Sequence, residues 1–267
     1  MAEQDERIRD KAAHIKHKIM VLSGKGGVGK STVAANLAWA LAEQDNQVGL
    51  MDADLHGPTI PLMTGLAGHV AVSSDQAIQP VDLTPNLGVM SIGFMIPEPD
   101  TPTIWRGPLR ANVLRQFIAD VGWGALDFLV VDLPPGTGDE PLTIAQALED
   151  ADGGIIVTTP QEASLSDCRK AINFLRKVGH SVLGVIENMS GFVCPHCGER
   201  TDIFSAGGGE LMAEQMNVPF LGRVPIVAEI VVLGDEGKPL LGPDSPEAVR
   251  EAFEAIVQAL LAEMADT

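Results

Sequence analysis

The stretch Gly24-Lys25-Gly26-Gly27-Val28-Gly29-Lys30-Ser31 decides the reading of the fold. It fits the pattern G-x-x-x-x-G-K-S/T, and its surroundings make the match credible. Upstream, residues 18–23 (KIMVLS) form a short apolar run of strand character. Downstream, residues 31–43 show helical spacing, with Val33, Leu37, Ala40 and Leu41 on one side. A glycine-rich turn between strand and helix lets successive backbone N–H groups curl around a phosphate, and the helix N-terminus adds positive potential. Gly24, Lys25, Gly26, Gly27, Val28, Gly29, Lys30, Ser31 and Thr32 are therefore the candidate cradle for the phosphates of ATP. Lys30 would hold the β- and γ-phosphates, and the Ser31 hydroxyl would ligate Mg2+.

Further along, apolar runs at 47–51 (QVGLM), 87–92, 128–131, 154–158 and 182–186 alternate with helical stretches at 109–120, 140–148 and 164–178. Residues 246–265 close the pattern as an acidic amphipathic helix. Near-continuous apolar strands separated by helices predict an α/β fold, a mostly parallel central sheet with helices on both faces. No repeat and no linker divides the chain. One P-loop NTPase domain is expected over residues 1–267, with a loosely patterned insertion at 65–86 and a C-x-x-C metal-binding loop at about 190–205.

Acidic residues close two of these strands. Asp52 and Asp54 follow the second, and Asp132 ends the run 128–131. The C-terminal end of a parallel strand lies on the ligand side of such a sheet. Asp132 suits a bond to a water on Mg2+, and Asp54 would position or deprotonate the attacking water while Asp52 supports the metal shell. The choice between Asp52 and Asp54 as water-positioning group stays open at this level, because a base is defined by geometry first. The following loop, Asp132-Leu133-Pro134-Pro135-Gly136-Thr137-Gly138-Asp139, has the composition of a switch in which Gly136 or Gly138 turns its N–H toward a γ-phosphate.

Composition narrows the partners. Of 267 residues, 18 are basic and 36 acidic, a net charge of −18. Generic binding to nucleic acid or to an anionic membrane relies on clustered Lys and Arg, so neither is expected. The C-terminal helix carries Glu247, Glu251, Glu254, Glu263 and Asp266 against Arg250, the opposite of a membrane-seeking helix. No apolar run approaches the ~18 residues of a membrane span. Residues 1–18 lack the apolar core of a signal peptide. Three cysteines are too few for a disulfide scaffold, which points to a reducing cytoplasm.

Two of those cysteines stand together in Cys194-Pro195-His196-Cys197-Gly198. A closed zinc or iron–sulfur site takes four ligands, and one C-x-x-C supplies two thiolates. Cys168 lies in a helical stretch among apolar neighbours and reads as a small buried hydrophobe. Two chains, each giving Cys194 and Cys197, would complete a four-thiolate site on a two-fold axis. A redox dithiol, a zinc knuckle completed by His196, and an unliganded turn are the alternatives.

Taken together, these stretches make the chain resemble the Mrp/ApbC family of iron–sulfur cluster carrier ATPases, which belong to the MinD/ParA-like group with a deviant Walker A motif. The resemblance runs from about residue 15 to 262. It rests on HKIMVLSGKGGVGKST, MDADLHGPT, IWRGP, VVDLPPGTGD, ENMSGFVCPHCG, IFSAGGGE and VPFLGRVP. It implies a homodimer in which Lys25 reaches across to the partner's phosphates, and slow ATP hydrolysis carried by Lys25, Lys30, Asp54 and Asp132. It also implies a 4Fe-4S cluster held between two subunits by Cys194 and Cys197 and passed to apo iron–sulfur proteins. Asn188 would hydrogen-bond the adenine, and Val224 with Pro225 would line the base pocket. The chain departs from the family at Pro225-Ile226-Val227-Ala228-Glu229, where an Asp-Pro often follows. The rival reading is a MinD/ParA-like ATPase switch with structural zinc at the dimer interface.

Overall fold

The computed structural model describes residues 2–74, 77–95, 107–194, 196–238, 241 and 245–265. Residues 104–106 of IWRGP, Pro195 and Asp266 lie outside this set. The first half runs α1 (Ala2–Ala12), β1 (Ile15–Ser23), α2 (Lys30–Ala42), β2 (Val48–Asp52), α3 (Ile60–Met63), β3 (Ser73–Ser74), β4 (Ala77–Ile78), β5 (Val81–Thr84), β6 (Leu87–Ser91), α4 (Gly107–Ala119) and β7 (Leu126–Asp132). The second runs α5 (Asp139–Ala147), β8 (Gly153–Thr158), α6 (Glu162–Val178), β9 (Val182–Glu187), β10 (Phe192–Val193), β11 (Arg200–Thr201), α7 (Gly208–Met216), β12 (Phe220–Arg223), α8 (Ala228–Asp235) and α9 (Glu247–Ala265).

Eight strands form one sheet in the order β12-β9-β8-β1-β7-β2-β6-β5. Every neighbouring pair is parallel except the edge pair β5–β6. Successive residues of a strand face opposite sides of a sheet. Ile19, Met20, Val21 and Leu22 of β1 are all fully buried, so both faces at the centre are covered. Two groups of helices supply that cover. In one, α2 packs with α3 and α9, and α3 with α8; in the other, α1, α4, α5, α6 and α7 pack in succession.

Register, more than burial, builds the site. Asp52 pairs level with Asp132, and Asp132 with Val21, so the acidic ends of β2 and β7 sit beside the point where β1 turns into the glycine loop. Several elements go beyond the sequence reading. Residues 2–12 form a helix, β1 starts at Ile15, and the insertion at 65–86 contributes β5, the antiparallel edge strand. The cysteine stretch is a two-stranded hairpin, β10 against β11, with Cys194, His196 and Cys197 in its turn.

Candidate functional site

A cleft of about 560 Å3 opens over the C-terminal end of β1. Lys25, Gly26, Gly27, Gly29, Lys30, Ser31 and Thr32 form its floor, with Asp54, Pro135 and Asn188 around them. Gly24 and Val28 shape the loop without lining it. A β-carbon on Gly24 would run into the backbone of Asp167 and Cys168, so only glycine lets the loop lie against α6. Gly29 caps α2 at φ 79°, in the left-handed region, and a β-carbon there would overlap the Asn188 amide. That amide donates from Nδ2 to the Val28 carbonyl at 2.9 Å, fixing the loop from the side.

Lys30 leaves the first turn of α2 for the floor. Its Nζ lies 2.5 Å from Asp132 Oδ1 and 3.3 Å from Ser31 Oγ. Asp132 is fully buried and its other oxygen, Oδ2, has no hydrogen-bond partner. Asp52, also fully buried, accepts from Ser91 Oγ at 2.9 Å and from the Asp54 N–H at 3.1 Å. Burial lifts the Asp52 carboxyl to about 8, with repulsion from Asp132 adding to it. Burial lifts Asp132 as well, and Lys30 pulls it back. With Asp52 lifted to about 8 and so mostly protonated near neutral pH, Lys30 balances the Asp132 carboxylate, and Asp132 Oδ2 is left without a partner.

This oxygen-rich donor set fits a hard divalent cation. Ser31 Oγ and Asp132 would hold Mg2+, directly or through water, with Asp52 behind them. The ion would supply charge neutralisation on the β- and γ-phosphates.

Asp54 lines the cleft and is partly exposed; its Oδ1 accepts from the N–H groups of His56 and Gly57, both at 3.2 Å. Asp52 does not reach the cleft surface. Gly136 sits at φ 89° and donates its N–H to the Ser23 carbonyl at 2.9 Å, docking the switch loop against β1. Lys25 is half-buried at the rim; Lys170 holds the nearby Asp167 carboxyl below its ordinary value, and Lys25 adds a lesser part. Of the turn expected to line a base pocket, Pro225 reaches the cleft together with Ile226 and Val227. Val224 does not: its side chain is buried, its N–H donates to Glu187 O, and its carbonyl accepts from Ser190 N.

Cys168 is buried in α6, where its thiol faces the Val157 carbonyl and is pushed up by desolvation. Cys194 is half-buried and Cys197 exposed. The hairpin turn is closed by Gly198 N–H to Cys194 O at 2.8 Å and Cys194 N–H to Glu199 O at 3.0 Å. Backbone N–H groups of His196 and Cys197 hold the Cys194 thiol below its ordinary value. Among the described residues no three His, Cys, Asp or Glu side chains converge as a metal cage. One chain offers two thiols at this turn and no more.

Ser91 and Phe204 were not found by sequence reasoning. Ser91 steadies Asp52 from the end of β6, and Phe204 lines the cleft from the far end of the cysteine loop. Phe204 stands within IFSAGGGE with no role of its own assigned there, and Ser91 is revealed only by the register of β2 with β6.

A strand, a glycine loop and a helix whose lysine meets a strand-end aspartate define a P-loop NTPase. The chain belongs more particularly to the ParA family described as the NUBPL iron-transfer P-loop NTPase, whose model matches residues 14–261. It is 47% identical over 261 residues to a Methanocaldococcus jannaschii iron-sulfur cluster carrier protein, covering 98% of this chain and 89% of that one. It is 52% identical over 228 residues to a cytosolic Fe-S cluster assembly factor NUBP2 homolog of Culex quinquefasciatus, covering 84% and 89%. Among solved structures it resembles the Archaeoglobus fulgidus nucleotide-binding protein in complex with ADP, with Co found by PIXE. The TM-score there is 0.80 at 40% identity, covering 91% and 95% of the two chains. The septum site-determining protein MinD of Pyrococcus horikoshii, complexed with Mg-ADP, matches with a TM-score of 0.64 at 25% identity, covering 92% and 97%. Among the described residues no helix is long and apolar enough to cross a membrane.

Proposed function

We propose that this protein is an ATP-dependent carrier of a 4Fe-4S cluster, acting as a homodimer in the cytoplasm and delivering the cluster to apo iron–sulfur proteins. One observation carries the reading: a phosphate cradle and a two-thiol hairpin share a wall. The Ile226 N–H donates to the Gly191 carbonyl at 2.8 Å, and Phe192 bridges to Ile226, so the cleft's Pro225–Ile226–Val227 side is bonded to the cysteine hairpin. The names of the relatives support the cargo, and the ADP-bound neighbours support the nucleotide.

The chain acts over residues 1–267 as one unit. Lys30 and the loop N–H groups bind the β- and γ-phosphates, and Ser31 with Asp132 holds Mg2+. Asp54, exposed to the cleft, is the group placed to orient the attacking water; buried, Ser91-bonded Asp52 is not. Lys25 at the rim reaches the partner's phosphates, so turnover is slow without dimerisation. Cys194 and Cys197 of two chains provide the four thiolates that a cubane needs. The test is transfer. Cluster-loaded protein mixed with an apo 4Fe-4S enzyme should restore that enzyme's activity, and Cys194→Ser protein should restore none. Equal recovery from both would refute the reading.

A further inference from the structure

The stretch IFSAGGGE, residues 203–210, has no part in the phosphate site, and the structure gives it one. Glu187 ends β9 immediately before Asn188 and is fully buried. Its Oε1 accepts from Ser190 Oγ at 2.5 Å and from the Gly207 N–H at 2.9 Å, and its Oε2 accepts from the Gly209 N–H at 2.5 Å. Arg223 of β12 lies 3.5 Å from Oε1 and also pairs with Glu210. The N-terminus of α7 is therefore an anion nest filled by the chain's own carboxylate. The glycines are needed for the approach. Gly207 takes φ 83°, and a β-carbon on Gly209 would stand 3.0 Å from Glu187 Oε2.

What Glu187 clasps is both ends of the cysteine loop. Ser190 enters the loop and Gly207 leaves it, with Cys194 and Cys197 between. The neighbouring residue, Asn188, grips the phosphate loop at Val28. Between these two grips Met189 takes φ 56°, a left-handed conformation uncommon for a non-glycine residue. From the clasped loop Phe204 reaches back into the cleft, beside Ile226 and Ile230.

We propose that Glu187 is a positioning residue that ties the cysteine hairpin to the nucleotide cleft, so that a nucleotide in the cleft changes the accessibility of Cys194 and Cys197. The inference deepens the proposed function and rests on its nucleotide half alone. A base entering the cleft meets Phe204 and the Ile226 wall, and phosphates meet the loop that Asn188 holds. The Glu187 clasp transmits either displacement to the hairpin because it leaves the loop ends no independent motion. A ligand shifts such an equilibrium only through differential contact with the two arrangements, and Phe204 supplies that contact.

The experiment is modification of the reduced, metal-free full chain by an aromatic disulfide, with and without Mg-ADP, alongside calorimetry of ADP binding. Buried Cys168 leaves Cys194 and Cys197 as the fast thiols. ADP should change their rate by at least about fivefold, the lower end of ordinary coupling between sites. In Glu187→Gln one nest N–H faces an amide NH2 in place of a carboxylate oxygen. The ADP effect should there fall below about twofold while ADP affinity stays within about threefold of wild type. Ser190→Ala, which removes only one bond to Glu187, should give an intermediate ratio even if Glu187→Gln does not fold. Wild-type protein that binds ADP with unchanged thiol rates overturns the coupling and leaves the nucleotide site standing. Both variants keeping the wild-type ratio overturns the role of Glu187. No ADP binding at all overturns the nucleotide reading and the coupling with it.

Discussion

Replacing Lys30 by methionine keeps the stem in its buried channel and removes the one cation that Asp132 touches. Asp132 is then a fully buried carboxylate without its cation, its Oδ2 unpartnered, the Ser31 hydroxyl its remaining polar neighbour and Asp52 beside it. Breaking a buried pair from one side costs roughly 3–5 kcal/mol. The structure sets a ceiling, because Asp132 can escape by taking a proton. Against an ordinary value of 3.8 that escape costs about 4.4 kcal/mol at pH 7 and about 2.3 kcal/mol at pH 5.5. Wild-type Asp132 already stands above its ordinary value, so part of this cost is present before the substitution. The expected loss is about 2–4 kcal/mol at pH 7 and about half that at pH 5.5. The sign follows from linkage. A carboxyl raised in the folded state binds more protons folded than unfolded, so stability falls as pH rises from 3.8 toward the folded value. Lys30→Met moves that folded value higher and deepens the fall. Urea unfolding of nucleotide-free, metal-free protein at both pH values measures it. A penalty independent of pH, or one below about 0.5 kcal/mol at pH 7, would show that Lys30 and Asp132 do not form this pair.

Three other outcomes follow from the same geometry. Gly29→Ala should cost about 1–2 kcal/mol for the left-handed backbone and also weaken ADP binding, since its methyl displaces the Asn188 amide; thermal unfolding and calorimetry read the two effects. Asp52, raised to about 8 by burial and by Asp132, should make metal-free wild type lose stability between pH 5 and 8, whereas Asp52→Asn should lose less; melting curves across that range that run parallel would count against it. Lys25→Ala should lower ATP turnover by at least tenfold, on the order of a small trans-acting cation effect, while Lys30→Ala loses binding itself; equal loss of ADP affinity in both would remove the rim lysine's separate role.

The sheet was legible because its strands are buried on both faces. The runs at 47–51, 128–131 and 182–186 are apolar at nearly every position; the last two fall within observed strands, and the first matches β2 except that Gln47 lies outside it. The phosphate loop was legible from its glycines and from Lys30–Ser31. What escaped depends on partners distant in sequence. Residues 2–12 form α1 although the segment is mostly charged, because Ile8 and Ala12 bury against the body while Arg7 pairs with Asp120 and Arg115 with Asp5. Strand β12 is four residues long, with only Leu221 buried, and becomes a strand through pairing with β9. Glu187 is one acid among 36 acidic residues, and its role exists only once Gly207 and Gly209 arrive from twenty residues on. Local sequence shows which residues are apolar; it does not show which backbone N–H a buried carboxylate will meet.

The central claim, that two chains share one cluster through the hairpin thiols, is tested most directly by iron and sulfide content together with native mass after anaerobic reconstitution. The account predicts about four irons and four sulfides per dimer, none in Cys194→Ser or Cys197→Ser, and an undiminished cluster in Cys168→Ser. One zinc per dimer with no cluster formed, or a complete cluster on a monomer, would contradict it.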